Sequence, residues 1–343
     1  MQSPTSPDAL KFHRSCLLVD LHVDALLTWR LFRYDLRRRH PSPGLPRGTL
    51  FFHADVPRFR AGNVGAAFLG LVPKPFGKNA AHLDEMIREA ERVAADLPEL
   101  CTMARSAEDV ERARAEGKTA LLLGIEGATA FDGDPRRVRY FARRGVRYVG
   151  LVHFNENFAA SPGVGLGSRG SVGLTARGRF LVEECVRNHV LVDLAHLSPR
   201  CFFDAIELLP SGFPSLVSHA GVKSVHEHGR NLDDDQLRAV ASTGGVVGVI
   251  NQSIFLGGGS LDDLVAHVLA ARDVAGYRHV AIGSDFDGAI FPVKGLEDVT
   301  RFPALTAALL DAGLPKREVR AILGENALRV LAQVPPKHFP RGS

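Results

Sequence analysis

An alternation of short apolar runs with longer helical patterns constrains the fold of this chain more than any other feature. Eight runs are apolar or rich in β-branched residues, as buried parallel strands are. They are Cys16–His22, Val64–Val72, Thr119–Ile125, Tyr148–His153, Val190–His196, Ser215–His219, Val246–Ile250 and His279–Ser284. Eight strands that alternate with helices predict an α/β fold, a (β/α)8 TIM barrel. A doubly wound open sheet is the main alternative.

The segments between these runs carry apolar residues at spacings of three and four, as on one face of a helix. Such patterns begin near Ala80, Ser106, Thr175 and Asn231. Ser106 and Thr175 are also typical of a helix start. The chain has 343 residues with no fixed repeat and no clear linker, so we expect a single catalytic domain over residues 1–343.

The residues that end each run are informative, because the site of a (β/α)8 barrel lies at the C-terminal ends of its strands. Six of the eight runs end in a group that can bind a metal or transfer a proton. These groups are His22 and Asp24 after the first run, Glu126 after the third, His153 after the fourth, His196 after the fifth, His219 after the sixth, and Asp285 and Asp287 after the eighth.

Taken alone, most of these residues have an ordinary structural explanation. A single histidine after a strand is often only hydrogen-bonded, Glu126 suits a helix cap, and Asp285 and Asp287 suit a turn. His22 and Asp24 are more specific, since side chains two residues apart share one face of a strand. Six coincidences at one rim favour a metal site.

The donors are imidazoles and carboxylates without a thiolate, which suits Zn²⁺ or a similar divalent ion in a catalytic site. Three histidines, one aspartate and one glutamate are too many for one ion and fit two, with one carboxylate bridging them. Two such ions can share a hydroxide and lower its pKa. Asp20 and Asp193, which lie deeper in their strands, are expected to support the ligands or to be hydrogen-bonded in the core.

Several segments, in this order, resemble the membrane dipeptidase (renal dipeptidase-like) family, peptidase family M19. They include "VDLHVDAL", "HADVPRFRAGNVGAAF", "LLGIEGA", "LVHFNEN", "VLVDLAHLS", "VSHAGVKSVHEHGRNL" and "VAIGSDFDG". The resemblance extends from about His13 to Leu331 and covers nearly the whole chain.

The resemblance implies a barrel of the metal-dependent hydrolase type with two zinc ions. By motif position, His22 and Asp24 would bind the first ion. His196 and His219 would bind the second, and Glu126 would bridge both.

The resemblance also implies roles for residues that touch the substrate. His153 and Arg230 would bind it, Arg230 through the substrate carboxylate, and Asp285 would bind it and act as the acid and base. Glu126, His153 and Asp285 are thus the expected catalytic residues, and Asp287 is a weaker candidate than Asp285.

The leading hypothesis is a zinc-dependent dipeptidase in which a metal-bridging hydroxide attacks the peptide carbonyl and a D-residue is tolerated at the C-terminal position. One alternative keeps the two metals but changes the substrate to an N-acyl amino acid, lactone or phosphoester. Another is a non-catalytic barrel scaffold. A bridging glutamate on the third strand, in place of a lysine on the fourth, favours the dipeptidase.

The charge, the cysteines and the lack of an evident targeting segment lead to expectations about partners and location. The formal net charge is +4, and much of the excess lies in Arg30–Arg47, which we expect to be a solvated basic loop within a long connection reaching Asn63. No nucleic-acid motif is present. The four cysteines form no C-x-x-C pair, and neither a signal peptide nor a transmembrane run is evident. We expect a soluble cytoplasmic homodimer without a membrane partner.

Overall fold

The computed structural model describes residues 6–42 and 49–339 and contains a closed parallel barrel. The strands within these residues are β1 Leu18–Val23, β2 Val64–Leu71, β3 Cys101–Met103, β4 Thr119–Glu126, β5 Val146–Gly150, β6 Leu191–Asp193, β7 Leu216–Ala220, β8 Val246–Val249 and β9 Val280–Ile282. Eight of them form the ring β2-β1-β9-β8-β7-β6-β5-β4, which closes because β4 pairs with β2. The predicted (β/α)8 barrel is confirmed, and the open-sheet alternative is wrong.

Helices surround the barrel. They are α1 Pro7–Ser15, α2 Ala25–Phe32, α3 Val56–Ala61, α4 Ala80–Asp96, α5 Ala107–Ala115, α6 Val138–Arg143, α7 Ala176–Arg187, α8 Pro199–Leu208, α9 Asp234–Ser242, α10 Ser253–Leu256, α11 Leu261–Ala275, α12 Phe302–Asp311, α13 Lys316–Arg320 and α14 Asn326–Gln333. A π-helical turn, Ala321–Glu325, joins α13 to α14. Two predicted starts are confirmed: Ser106 caps α5 in a capping box, and Thr175 caps α7.

Successive residues of a strand belong in turn to two hydrophobic layers, so every second side chain points into the barrel. On β4, Ala120 and Leu122 belong to the cluster that fills the barrel. Leu121 and Leu123 belong to the layer shared with the surrounding helices. The period of two then places Glu126, the last residue of β4, on the interior side of the barrel at its C-terminal end.

The structure corrects several details of the sequence-based assignment. The fourth and fifth predicted strands end early, at Gly150 and Asp193, so His153 and His196 lie in the loops that follow. A ninth strand, β3, was not predicted; it pairs with the first residues of β4. Three residues are too few to show a periodic pattern.

The basic segment Arg30–Arg47 is not simply a solvated loop. Arg30 lies in α2 and is partly buried, and Arg37 makes ion pairs with Glu89 and Asp96. The longer connection to Asn63 contains helix α3. Residues 43–48 lie outside the described residues, as do 1–5 and 340–343, so a single domain over residues 1–343 stays a prediction.

Two further observations concern the cysteines and the apolar character of the helices. Cys16, Cys101, Cys185 and Cys201 are all buried and unpaired. Among residues 6–42 and 49–339, no helix combines the length and the apolar character that a membrane crossing requires.

Candidate active site

Glu126 lies at the centre of a buried cluster at the C-terminal mouth of the barrel. Its Oε1 atom is 2.9 Å from His196 Nε2, 3.5 Å from His219 Nε2 and 3.6 Å from His153 Nε2. Its Oε2 atom is 3.7 Å from His22 Nε2. One glutamate side chain therefore faces histidines from four different parts of the ring, with one oxygen directed to each side.

The side of the cluster near β1 carries further carboxylates. His22 Nε2 is 3.2 Å from Asp24 Oδ1 and 3.9 Å from Asp285 Oδ1. Among residues 6–42 and 49–339, three sets have ligand atoms within 4.8 Å of one another and could hold a metal ion: His22 with Asp24 and Glu126, His22 with His219 and Asp285, and Glu126 with His153 and His196. All the sequence-predicted ligands thus lie close to one another, and His153 and Asp285 lie beside them.

Several donor atoms in this cluster make no hydrogen bond, although His22 Nε2 and Asp24 Oδ1 lie 3.2 Å apart. His22 Nε2, Asp24 Oδ1 and Glu126 Oε2 are buried and make no hydrogen bond. Leaving such atoms unpaired is costly, and buried charges are normally paired or bound to a metal. Imidazole and carboxylate donors suit zinc and similar divalent ions. The residues present therefore fit a divalent cation.

The orientation of His22 is set by a tyrosine on a neighbouring part of the barrel. His22 Nδ1 shares a 2.6 Å hydrogen bond with the Tyr148 hydroxyl, which leaves Nε2 directed at the cluster. The Tyr148 ring needs the space beside Gly124, where an added Cβ would collide with it. Similarly, His219 Nδ1 lies 2.8 Å from Ser218 Oγ. Such contacts fix the ring and its tautomer.

Asp20 and Asp193 are hydrogen-bonded in the core, as predicted. Asp20 accepts hydrogen bonds from the Ser284 amide at 2.8 Å and the Ser284 hydroxyl at 2.5 Å. Asp193 accepts the equivalent pair from Ser218, at 2.8 Å and 2.6 Å. The two aspartates tie β1 to the end of β9 and β6 to β7, next to the histidines.

Strand β2 contributes space where other strands contribute donors. A Cβ atom at Gly70 would collide with Asp24 Oδ1 and would lie 3.2 Å from His22 Cε1. The apparent lack of a functional group at the end of the second run therefore has a physical reason. Glycine is the residue that lets Asp24 reach the cluster.

Three non-glycine residues at the mouth adopt left-handed backbone conformations. The φ angles are 67° at His196, 62° at Asp285 and 69° at Asp287. Such conformations are uncommon for residues with a Cβ, and they concentrate at functional sites. They allow the chain to turn sharply so that His196 and Asp285 point back over the barrel.

The electrostatics of His196, His219 and Glu126 suit metal ligands, whereas without a metal the pKa values of His22 and Asp24 are raised. Burial lowers the pKa of both His196 and His219, and the positive charge of Arg230 lowers it further, so the imidazoles are neutral. Burial opposes ionisation of Glu126, but His153 and His22 outweigh it and hold its pKa well below the ordinary value. Neutral imidazole and ionised carboxylate are the forms that bind a metal.

Arg230, His153 and Asp287 occupy different positions around the cluster. Arg230 is 4% exposed and donates to the His219 carbonyl at 3.1 Å, while its Nε has no hydrogen-bond partner. The His153 side chain is 34% exposed and reaches the opening. Asp287 turns away, since its carboxylate accepts from the His53 amide at 2.7 Å.

A closed (β/α)8 barrel with a buried cluster of histidines and carboxylates at its C-terminal mouth defines the class of metal-dependent barrel hydrolases. The particular family follows from the sequence: the chain belongs to the membrane dipeptidase family (peptidase family M19), whose model matches residues 8–337. It is therefore a peptide-bond hydrolase of the dipeptidase type.

Named relatives agree with this assignment. Dipeptidase tcpJ of Claviceps purpurea is 33% identical over 307 residues, which cover 84% of this chain and 71% of that protein. The crystal structure of dipeptidase AC, a metallopeptidase of family M19, has a TM-score of 0.81 at 26% identity and covers 93% of this chain and 99% of that one. A metallopeptidase from Rhodobacter sphaeroides, bound to a phosphinate mimic of the dipeptide L-Ala-D-Ala, has a TM-score of 0.80 with the same identity and coverage.

Sequence reasoning did not assign roles to Tyr148, Gly124 and Gly70. The available signals were a tyrosine hydroxyl inside an apolar run and glycines within two others, which often mark a close approach of another group. Which groups approach depends on ring closure, because Gly124 on β4 meets Tyr148 on β5 and Gly70 on β2 meets Asp24 after β1.

Proposed function

We propose that the protein is a zinc-dependent dipeptidase with two metal ions per chain. The observation that carries the proposal is the set of buried donor atoms on His22, Asp24 and Glu126 that make no hydrogen bond, within a barrel of this family. A cation would offset the cost of burying these atoms.

The ligand assignment follows the resemblance to the family, and the proximity of the side chains supports it. His22 and Asp24 would hold one ion, and His196 and His219 the other. Glu126 would bridge the ions, because its two oxygens face the two sides. When bound, the metals would supply the attacking hydroxide, by lowering the pKa of a shared water, and would polarise the peptide carbonyl.

The protein's own residues would bind the dipeptide and move its protons. Arg230 would bind the terminal carboxylate through its guanidinium fork. His153, at the opening, would donate a hydrogen bond to the oxygen on which negative charge develops. Asp285 would accept the proton of the nucleophile and pass it to the leaving amine. Burial raises the pKa of Asp285 well above its ordinary value, which suits a group that must hold a proton during the cycle.

A D-residue at the C-terminal position is also proposed. The support is that the related Rhodobacter sphaeroides metallopeptidase was crystallised with a mimic of L-Ala-D-Ala. The sequence resemblance to the family leads to the same expectation.

Two measurements test the function together. Metal analysis of protein purified from metal-replete medium should give about two divalent ions per chain. Purified enzyme should hydrolyse L-Ala-L-Ala or L-Ala-D-Ala, with N-acetyl-L-alanine as the control. Less than one ion per chain contradicts the two-metal site, and hydrolysis of the N-acyl compound alone contradicts the dipeptidase assignment.

The assembly state and the location complete the proposal. We propose a cytoplasmic homodimer, as expected from the sequence. Light scattering on the purified protein at micromolar concentration measures the mass directly, and the mass of a single chain would contradict the dimer.

A further inference from the structure

A cavity of about 260 Å³ opens directly beside the metal-ligand cluster. Its wall is mostly apolar and includes Val72, Pro73, Pro75 and Phe154. Two polar residues matter for its chemistry: Arg30 on one side and His153 on the side that faces the cluster. His153 Nε2 is 3.6 Å from Glu126 Oε1, so the cavity and the proposed reaction centre share this side chain.

Arg30 is held in place but is not neutralised. It lies in α2, six residues after Asp24, and its Nη1 atom is 2.5 Å from His82 Nε2 and 3.5 Å from the Val72 carbonyl. No carboxylate of residues 6–42 or 49–339 forms an ion pair with it. A partly buried guanidinium with only neutral partners can still take up an anion at low cost.

The position of Arg230 determines which end of a substrate reaches this cavity. Around the ring, β7 and β2 lie opposite each other, four strands apart. Arg230 donates a hydrogen bond to the carbonyl of His219 on β7, whereas Val72 and Pro73 directly follow β2. A dipeptide whose carboxylate binds Arg230 therefore crosses the cluster with its N-terminal residue toward the cavity.

We propose that this cavity binds the side chain of the substrate's N-terminal residue and that Arg30 selects a carboxylate there. The preferred substrates are then dipeptides with N-terminal glutamate or aspartate. The apolar wall accommodates the methylene groups, and the guanidinium donates charge-assisted hydrogen bonds to the carboxylate. This inference rests on the proposed dipeptidase function and on the binding of the substrate carboxylate by Arg230.

The test is a ratio of kcat/KM values for two nearly isosteric substrates, L-Glu-L-Ala and L-Gln-L-Ala. In the unmodified protein the ratio should favour glutamate by on the order of tenfold or more, as expected for a hydrogen bond to a charged group. In Arg30→Met the ratio should fall to about one. Arg30→Lys, which keeps the charge but not the fork, should give an intermediate ratio. In Arg30→Glu the preference should move to L-Lys-L-Ala.

Arg39→Met is the matched control, because Arg39 is an exposed arginine of the same basic segment that does not line the cavity. It should leave the glutamate-to-glutamine ratio unchanged. Thermal melting of each variant identifies a folding defect, and three substitutions at one position protect against the failure of any single one.

The outcomes separate the two proposals. Hydrolysis of neutral dipeptides with a ratio near one, or a ratio that survives Arg30→Met, overturns the role of Arg30 and leaves the dipeptidase assignment in place. Failure to hydrolyse any dipeptide by the metal-loaded protein overturns the proposed function and, with it, this inference.

Discussion

Two buried groups of polar residues differ in how their charges are satisfied. The loop cluster, formed by Tyr34, Asp55, Arg58 and Asp298, is complete within the protein. Arg58 donates to Asp55 at 2.6 Å, to Asp298 at 3.3 Å and to the Tyr34 hydroxyl at 2.8 Å. In the cluster around Glu126, by contrast, the buried atoms His22 Nε2, Asp24 Oδ1 and Glu126 Oε2 make no hydrogen bond.

The difference separates structure from function among residues of the same chemical types. Both groups contain buried carboxylates, so burial and charge alone do not identify a site. The loop cluster ties α3 to the segment after β9, and its one cation, Arg58, pairs with both carboxylates. The cluster around Glu126 is complete only with a cation from outside the chain.

Glu126→Ala gives the largest expected effect. Loss of the bridging carboxylate should reduce kcat/KM by at least about a thousandfold, because metal chemistry supplies several kcal/mol to the transition state. Circular dichroism should still show a folded barrel. The matched control is Glu116→Ala, which removes a glutamate beside Lys118 on the surface. Full activity in Glu126→Ala would contradict the bridging role.

Arg58→Met tests the opposite side of the comparison. Removing the cation leaves Asp55 and Asp298 buried without a positively charged partner, so the free energy of unfolding should fall by about 3–5 kcal/mol. Urea denaturation measures the change. Arg238→Met, which breaks an exposed ion pair with Asp235, should have little effect. Equal effects of the two substitutions would show that the loop cluster is not a self-contained ion network.

Tyr148→Phe sharpens the account of the metal ligands. The variant removes the partner of His22 Nδ1 and keeps the ring, so metal affinity should fall roughly 10- to 100-fold while the fold persists. Competition with a chromophoric chelator reports the affinity. Tyr140→Phe removes a hydroxyl bonded to Asp84 at the surface and should leave metal affinity unchanged. A metal affinity equal to that of the unmodified protein in Tyr148→Phe would refute the orienting role.

The smallest expected effect concerns His53 and Asp287, which join the loop cluster to the loop after β9. Burial lowers the pKa of His53 to about 4 and raises that of Asp287 to about 7. The stability that His53 contributes is complete above its unfolded pKa near 6.5 and is lost as the pH falls toward 4. That of Asp287 is complete below its unfolded pKa near 3.9 and is lost as the pH rises through 7. The two terms oppose each other over this range.

Single substitutions should uncover each term. His53→Gln should cost about 1–2 kcal/mol more at pH 7.5 than at pH 4.5, and Asp287→Asn should show the reverse order. Denaturant unfolding should be measured in the presence of a chelator, so that metal release does not contribute to the pH dependence of the free energy of unfolding. Parallel pH profiles for the variants and the unmodified protein would contradict these pKa values.

The sequence predicts the barrel and the members of the cluster because both depend on local patterns. Each long apolar run marks a strand, and the ionisable residue at its end marks the rim, as for Glu126 and His219. The approach of Asp285 to His22, by contrast, depends on how the ring closes. The short strand β3 and the cavity beside Arg30 likewise arise from tertiary contacts that no local period contains.

Gly70 has a consequence for protein design. A designer who grafted the histidines and carboxylates of this mouth onto another barrel would reproduce every donor and still fail if a side chain stood at this register, since it would displace Asp24. A search for the site in other barrels should therefore score an empty position as well as occupied ones. In this molecule, the absence of a side chain at Gly70 is as necessary for the proposed metal site as the ligands themselves.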